Sequence, residues 1–243
     1  MSGTDSSPVA RRSFLSRLGL GMTASSATLS AALGSSAVAA QTPAPSTKWE
    51  PGHHAQDDWL DQLPGRHRLV FDTTQFDGFG GALLYANNFF LANQNGYGLG
   101  NPDLAVVLVV RHNSTVFAFN DAIWAKYGAP LSERGSLKDP VSKQAPTVNI
   151  YNAPALTAQL PSGGTTLDSL LKRGVHLAVC QMATRRLAGA IAQAKSGSAA
   201  GSADAIYNEL TSNLVANSHM VPAGIVAVNR AQERGYSFAN VGV

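Results

Sequence analysis

The sequence predicts an α/β fold, a mostly parallel sheet covered by helices on both faces, of the flavodoxin-like sandwich type. Three observations carry that expectation. Residues 104–110 are an unbroken apolar run from Leu104 to Val110, bounded by Asn101-Pro102-Asp103 and by Arg111-His112, which marks a parallel strand buried on both sides. A second run, 174–180, is led in by Lys172-Arg173-Gly174 and ends on Cys180, after which the spacing turns helical through Met182, Leu187 and Ile191. Strand-like and helix-like segments then alternate along the rest of the chain, as crossover units require.

The 243 residues divide in three. Arg11-Arg12-Ser13-Phe14-Leu15, an uncharged stretch rich in small and apolar residues, and Ala37-Val38-Ala39-Ala40 follow one another in the order of a twin-arginine (Tat) export signal. Residues 1–40 are therefore expected to be a signal peptide cleaved near Ala39/Ala40. That implies the Tat translocase as a partner during export and the periplasm as destination. The apolar stretch is weaker than a membrane-spanning helix needs. Residues 41–65, with Pro43, Pro45, Pro51 and Pro64, read as a linker that becomes a short arm around Trp49 and Trp59, with Trp59, Leu60 and Leu63 turned to the domain. Residues 66–243 make the domain, of a size that buries an ample core.

Arg11, Arg12 and Arg17 against Asp5 put two of the three net positive charges in the signal. The remaining chain is near neutral and has no Lys/Arg-rich run, which excludes a nucleic-acid partner.

Within the domain, residues 66–73 read as the first strand. Asp77-Gly78-Phe79-Gly80-Gly81 is expected to turn into a helix over 82–94; its Gly-x-Gly-Gly spacing is not a dinucleotide fingerprint. Residues 115–127 form an amphipathic segment whose helix starts near a capping Asn120 and ends at Gly128. Residues 129–164, rich in proline, read as a long loop acting as a lid or subunit contact, with a short strand at 148–152. Helices are expected over 165–173, 182–194, 204–214 and 224–234, the last closed by Gly235. Residues 195–202 form a Gly/Ser/Ala loop, 219–223 a short extended piece, and 236–241 a last strand.

The Gly174-Val175 to Val179-Cys180 segment, and Val221-Pro222-Ala223-Gly224-Ile225-Val226 leading to Gln232-Glu233 and Gly235-Tyr236, together resemble the DsrE/DsrF-like family (the DsrEFH and YchN superfamily). The stretch from Val109-Val110-Arg111-His112 through Phe117 to Trp124 and Gly128 looks like an exported branch of it. The similarity spans residues 66–241. It implies a flavodoxin-like fold, assembly into homo- or hetero-oligomers, and a cysteine after the central strand that carries sulfane sulfur as a persulfide. The matching residue here is Cys180. Partners implied are a sulfur donor or acceptor protein, or a small sulfur compound. The family's sulfur-relay members are cytoplasmic, and this chain also has a longer segment between Gly128 and Thr165.

Read from the residues alone, Cys180 is the only cysteine, so it cannot form an intrachain disulfide. It is either a thiol activated at a helix start or a small core hydrophobe at a strand end. Arg185 and Arg186 lie one turn on, and His112 ends the neighbouring strand, where it could accept the thiol proton. His176 points to the same face as Cys180, but ~13 Å away along the strand. Cys180 and His112 are thus the candidate catalytic residues. They form a sparse set for a heme or metal, and His53-His54 with Asp57 and Asp58 reads as a solvated polar segment. No motif calls for a cofactor or a resident metal. The competing readings are an oligomeric small-ligand or cofactor-binding module using Cys180, His112 and Trp124, and an assembly scaffold. Serine-hydrolase, paired-carboxylate and nucleotide-binding chemistry lack their motifs.

Overall fold

Seven apolar residues in succession are stable only where both faces of a strand are dry. In the computed structural model, Leu104–Val110 is β2, the middle strand of five, buried throughout. The structure describes residues 49–194 and 201–241. From Glu50 onward they belong to one compact unit. In chain order, α1 (Trp59–Gln62) precedes β1 (His67–Thr73), α2 (Phe76–Tyr97) and β2. A 3-10 helical turn (His112–Ala118) leads to α3 (Asp121–Glu133), α4 (Pro154–Thr157), α5 (Leu167–Leu171) and β3 (Val175–Cys180). Then come α6 (Gln181–Ala194), α7 (Ala203–Thr211), β4 (Ser218–Val221), α8 (Gly224–Glu233) and β5 (Ser237–Asn240). All five strands are parallel, in the order β4-β3-β2-β1-β5, giving the flavodoxin-like α/β sandwich that the sequence predicts.

The period-two alternation of the strands sorts the core into two clusters. Val106, Leu108 and Val110, with Val175, Leu177 and Val179, face α2, α3, α5, α6 and α7. Ala105, Val107 and Val109, with Val70, Ala178 and Val221, face α8 and the arm. The arm is docked rather than loose: Leu60 and Leu63 are buried, and Tyr236 Oη donates to the Leu60 carbonyl at 2.8 Å. Arg230 of α8 and Arg234, just past its end, pair with Asp57 and Asp61.

Three expectations need correction. Helix α2 starts at Phe76, so Asp77 to Gly81 is its first turn rather than a loop before a helix at 82. Gly80 is there for close packing. A Cβ at that position would lie 2.9 Å from Cε1 and Cζ of Tyr151 and closer still to the hydroxyl, which donates to the Phe76 carbonyl at 3.0 Å. Helix α3 is capped by Asn120 as expected, its Oδ1 accepting from the Ile123 N–H at 3.3 Å, but it passes Gly128 and Pro130 to reach Glu133. A Cβ at Gly128 would collide with the Pro146 carbonyl, so this glycine admits a crossing chain instead of stopping a helix.

Residues 148–152 hold a 3-10 turn (Ile150–Asn152) rather than a strand. Ile150 and Tyr151 are fully buried, with Tyr151 edge-on to Phe79 and Phe117. Within the 129–164 segment Leu131, Ile150 and Tyr151 are built into the core, while most of residues 133–148 are exposed. The export-signal expectation for residues 1–40 and most of the 195–202 loop lie outside the described residues. No described helix is long and apolar enough to cross a membrane.

Candidate functional site

Helix α6, which follows β3, packs Leu187, Ala188 and Ile191 into one core cluster. Helix α8, which follows β4, packs Ala227, Val228 and Ala231 into the other. The chain therefore leaves two adjacent strand ends toward opposite faces. Such a switch opens a crevice at the carboxyl edge of a parallel sheet. A cavity of about 130 Å³ lies there, lined by Arg111, His112, Cys180, Arg186, Ala223 and Gly224 among others. The 129–164 segment contributes nothing to this lining, so it is no lid over Cys180.

Strand register decides which residues meet the thiol. Val110 pairs with Val179, which sets Arg111 beside Cys180, and the strand period turns both toward α8. Arg111 is held by the buried Asp72 in two bonds of 2.8 Å, from Nε to Oδ1 and from Nη2 to Oδ2. The Asp72 hydrogen bonds raise the Arg111 pKa above its ordinary value against the opposing effect of burial, and the nearby Cys180 adds to the rise. The loop is pinned from below, since Ser114 Oγ accepts from the Arg111 N–H at 3.1 Å and lies 3.0 Å from Thr73 Oγ1. Gly224, first in α8, is the residue that lets the helix approach. A Cβ there would lie 2.8 Å from both Cβ and Cδ of Arg111.

Cys180 is 6 % exposed. Its carbonyl accepts from Thr184 Oγ1 at 3.0 Å, while its thiol has no hydrogen-bond partner among the described residues. His112 is exposed at the start of the 3-10 turn, with φ of 55°. That left-handed backbone is uncommon for a residue with a Cβ, and it turns the chain off the end of β2. The two candidate residues thus share one cavity, although no hydrogen bond joins them among the described residues. Of the two arginines of α6, Arg185 sits over the Tyr207 ring at 4.1 Å and 3.8 Å from Asp204. Arg186 lines the cavity and has no ion-pair partner among the described residues.

The sequence reading missed the Asp72–Arg111 pair as part of the site. Its signal was present in the order of residues: an acidic residue near the end of β1 and a basic one just after β2, on the same strand face. His176 does not line the cavity and has a partner of its own. Its Nδ1 lies 2.9 Å from His219 Nε2, and Trp59 stacks on His219 at 4.0 Å. Trp124 is fully buried in the opposite core cluster and does not line this cavity. His53 comes near Asp58 and Asp61 at the surface, but Asp61 already pairs with Arg234 at 3.0 Å.

Fold and cavity together define a class, a parallel α/β sandwich with a single buried thiol at its topological switch point beside a carboxylate-anchored arginine. Comparison with family models, with curated proteins and with solved structures gives no match to this chain.

Proposed function

We propose that this is an exported DsrE-like protein in which Cys180 accepts sulfane sulfur as a persulfide and passes it to an acceptor thiol. The observation that carries the reading is the position of Cys180, at the start of α6 and in one cavity with Arg111, Arg186 and His112. A thiolate is the nucleophile in sulfur exchange, and it is favoured by neighbouring positive charge and by a helix N-terminus. His112 accepts the thiol proton. Met182 and Ile225, large apolar residues exposed at the first turns of α6 and α8, provide the contact surface for an acceptor protein or for a second copy of the chain. Tat export, a periplasmic location and homo-oligomeric assembly belong to the same proposal.

Intact-mass spectrometry after incubation with polysulfide, beside Cys180→Ala, tests it. The expected result is a gain of one sulfur (~32 Da) that reductant removes and that the variant lacks. The low exposure of Cys180 favours one second reading, an oligomeric small-ligand or cofactor-binding module without catalysis. No adduct, together with slow native-state alkylation of Cys180, would mean a buried structural cysteine and end the persulfide reading in favour of that module.

A further inference from the structure

We infer that the sulfur donor for this cavity is a small thiosulfonate-type anion, a sulfane sulfur carried on a sulfonate, of which thiosulfate is the simplest. This rests on Cys180 being the acceptor thiol. Four features of the cavity select such a donor. Its charged lining is all basic: Arg111 and Arg186, with His112 beside them and no carboxylate. The Arg111 charge is largely answered by Asp72, whereas Arg186 has no counter-ion among the described residues, so Arg186 supplies the uncompensated charge. The first turns of α6 and α8 both reach the lining, through Met182 and Ala183 and through Gly224 and Ile225, and a helix's first turn is where backbone N–H groups lack intrahelical acceptors and favour an anion. The fourth feature is the thiol itself. The Cys180 thiol is more than nine-tenths buried, faces the cavity and has no hydrogen-bond partner among the described residues.

An oxyanion held by Arg186 and the helix N-termini presents its sulfane sulfur to Cys180. The thiol first loses its proton to His112. Sγ then attacks the outer sulfur, forming a new S–S bond as the bond to the sulfonate sulfur breaks, and the electron pair leaves with sulfite. Thiolate plus thiosulfate gives persulfide plus sulfite, with charge and atoms balanced and no outside oxidant or reductant. The cations that bind the donor also stabilise the departing sulfite, so their contribution acts on the reaction as well as on binding.

The test uses the full mature chain and its Arg186→Gln and Arg186→Lys variants. Two rates are measured on Cys180: persulfide formation from thiosulfate, and alkylation by uncharged iodoacetamide, which reports thiolate reactivity alone. The ratio of the first to the second should fall about tenfold or more in Arg186→Gln, the worth of one charge-assisted hydrogen bond. Arg186→Lys should recover most of it. Sulfite should appear one for one with persulfide, and sulfate should compete with thiosulfate. An unchanged ratio in Arg186→Gln would overturn the inference, because Arg186 would then act only on the thiol. If polysulfide loads Cys180 and thiosulfate does not, the donor class is wrong while the persulfide role stands. If neither loads it, the persulfide role itself falls.

Discussion

Replacing Gly224 by alanine should lower stability and disturb the cavity together, because one methyl group would enter the contact on which both depend. The new Cβ would stand 2.8 Å from Cβ and Cδ of Arg111 and 3.0 Å from Cγ1 of Val109. Relaxed carbon contacts need about 3.5–4.0 Å, so something must move by several tenths of an ångström. Arg111 cannot easily give way. Its Cβ is fixed at the end of β2, where its N–H donates to the Thr73 carbonyl at 3.3 Å, and its guanidinium is gripped twice by Asp72. Val109 is fully buried.

Helix α8 must therefore lift from the sheet, at a cost of about 1–3 kcal/mol for overpacking. For a domain of this size that is a fall in Tm of about 2–12 °C. Gly189→Ala is the matched control. Its Cβ would meet nothing within 4 Å in the middle of α6, so helix propensity alone should raise stability by up to ~1 kcal/mol. Thermal unfolding of both variants, followed by circular dichroism, decides the matter. A Gly224→Ala protein that melts at or above the wild-type temperature would refute the close seating of α8 on Arg111.

The His176–His219 pair should make stability fall in weak acid. Burial, and secondarily the neighbouring His219, hold the His176 pKa down to about 4, so the folded protein stays neutral there while the unfolded chain takes up a proton from about pH 6.5 downward. Stability is complete above that value and declines until about pH 4, by about 1 kcal/mol after allowance for solvent screening. Urea unfolding at several pH values should show this slope in the wild type and a shallower one in His176→Asn, where half-buried His219 still contributes; equal slopes would disprove it. Tyr151→Phe removes the hydrogen bond to the Phe76 carbonyl and should cost about 1 kcal/mol in urea unfolding. The same change should soften the penalty of Gly80→Ala, because the tyrosine hydroxyl is the nearest atom to the added Cβ. A double-mutant cycle with no coupling would contradict that packing. Asp72→Asn leaves Arg111 without its counter-charge in a partly buried place and should cost about 2 kcal/mol, seen as a lower urea midpoint.

What the sequence by itself determined follows from local pattern. The apolar run 104–110 could only be an inner strand, Asn120 could cap a helix through its own side chain, and a glycine before Val175 with a period change at Cys180 marked strand followed by helix. Those signals lie within a few residues of one another, so alternation and capping chemistry are enough to read them. The glycines misled because glycine serves two needs. Gly80 and Gly128 looked like turn residues, and only the arrival of Tyr151 and Pro146 from distant parts of the chain shows that they make room inside helices. Residues 148–152 had the apolar content of a strand, but the sheet was already complete, and Ile150 and Tyr151 filled a gap against Phe79 and Phe117 instead.

The site divides in the same way. That Cys180 and His112 end neighbouring strands was legible, since adjacent parallel strands bring their carboxyl ends together. That Arg111, not His112, is the cross-strand neighbour of the thiol depends on register. That Asp72 grips Arg111, and that α6 and α8 leave the sheet on opposite sides to open the cavity, depends on strand order. Register and strand order are set by the packing of the whole sheet between its two helical layers, a sum of weak contacts between residues far apart in the chain, and no local stretch of sequence contains it.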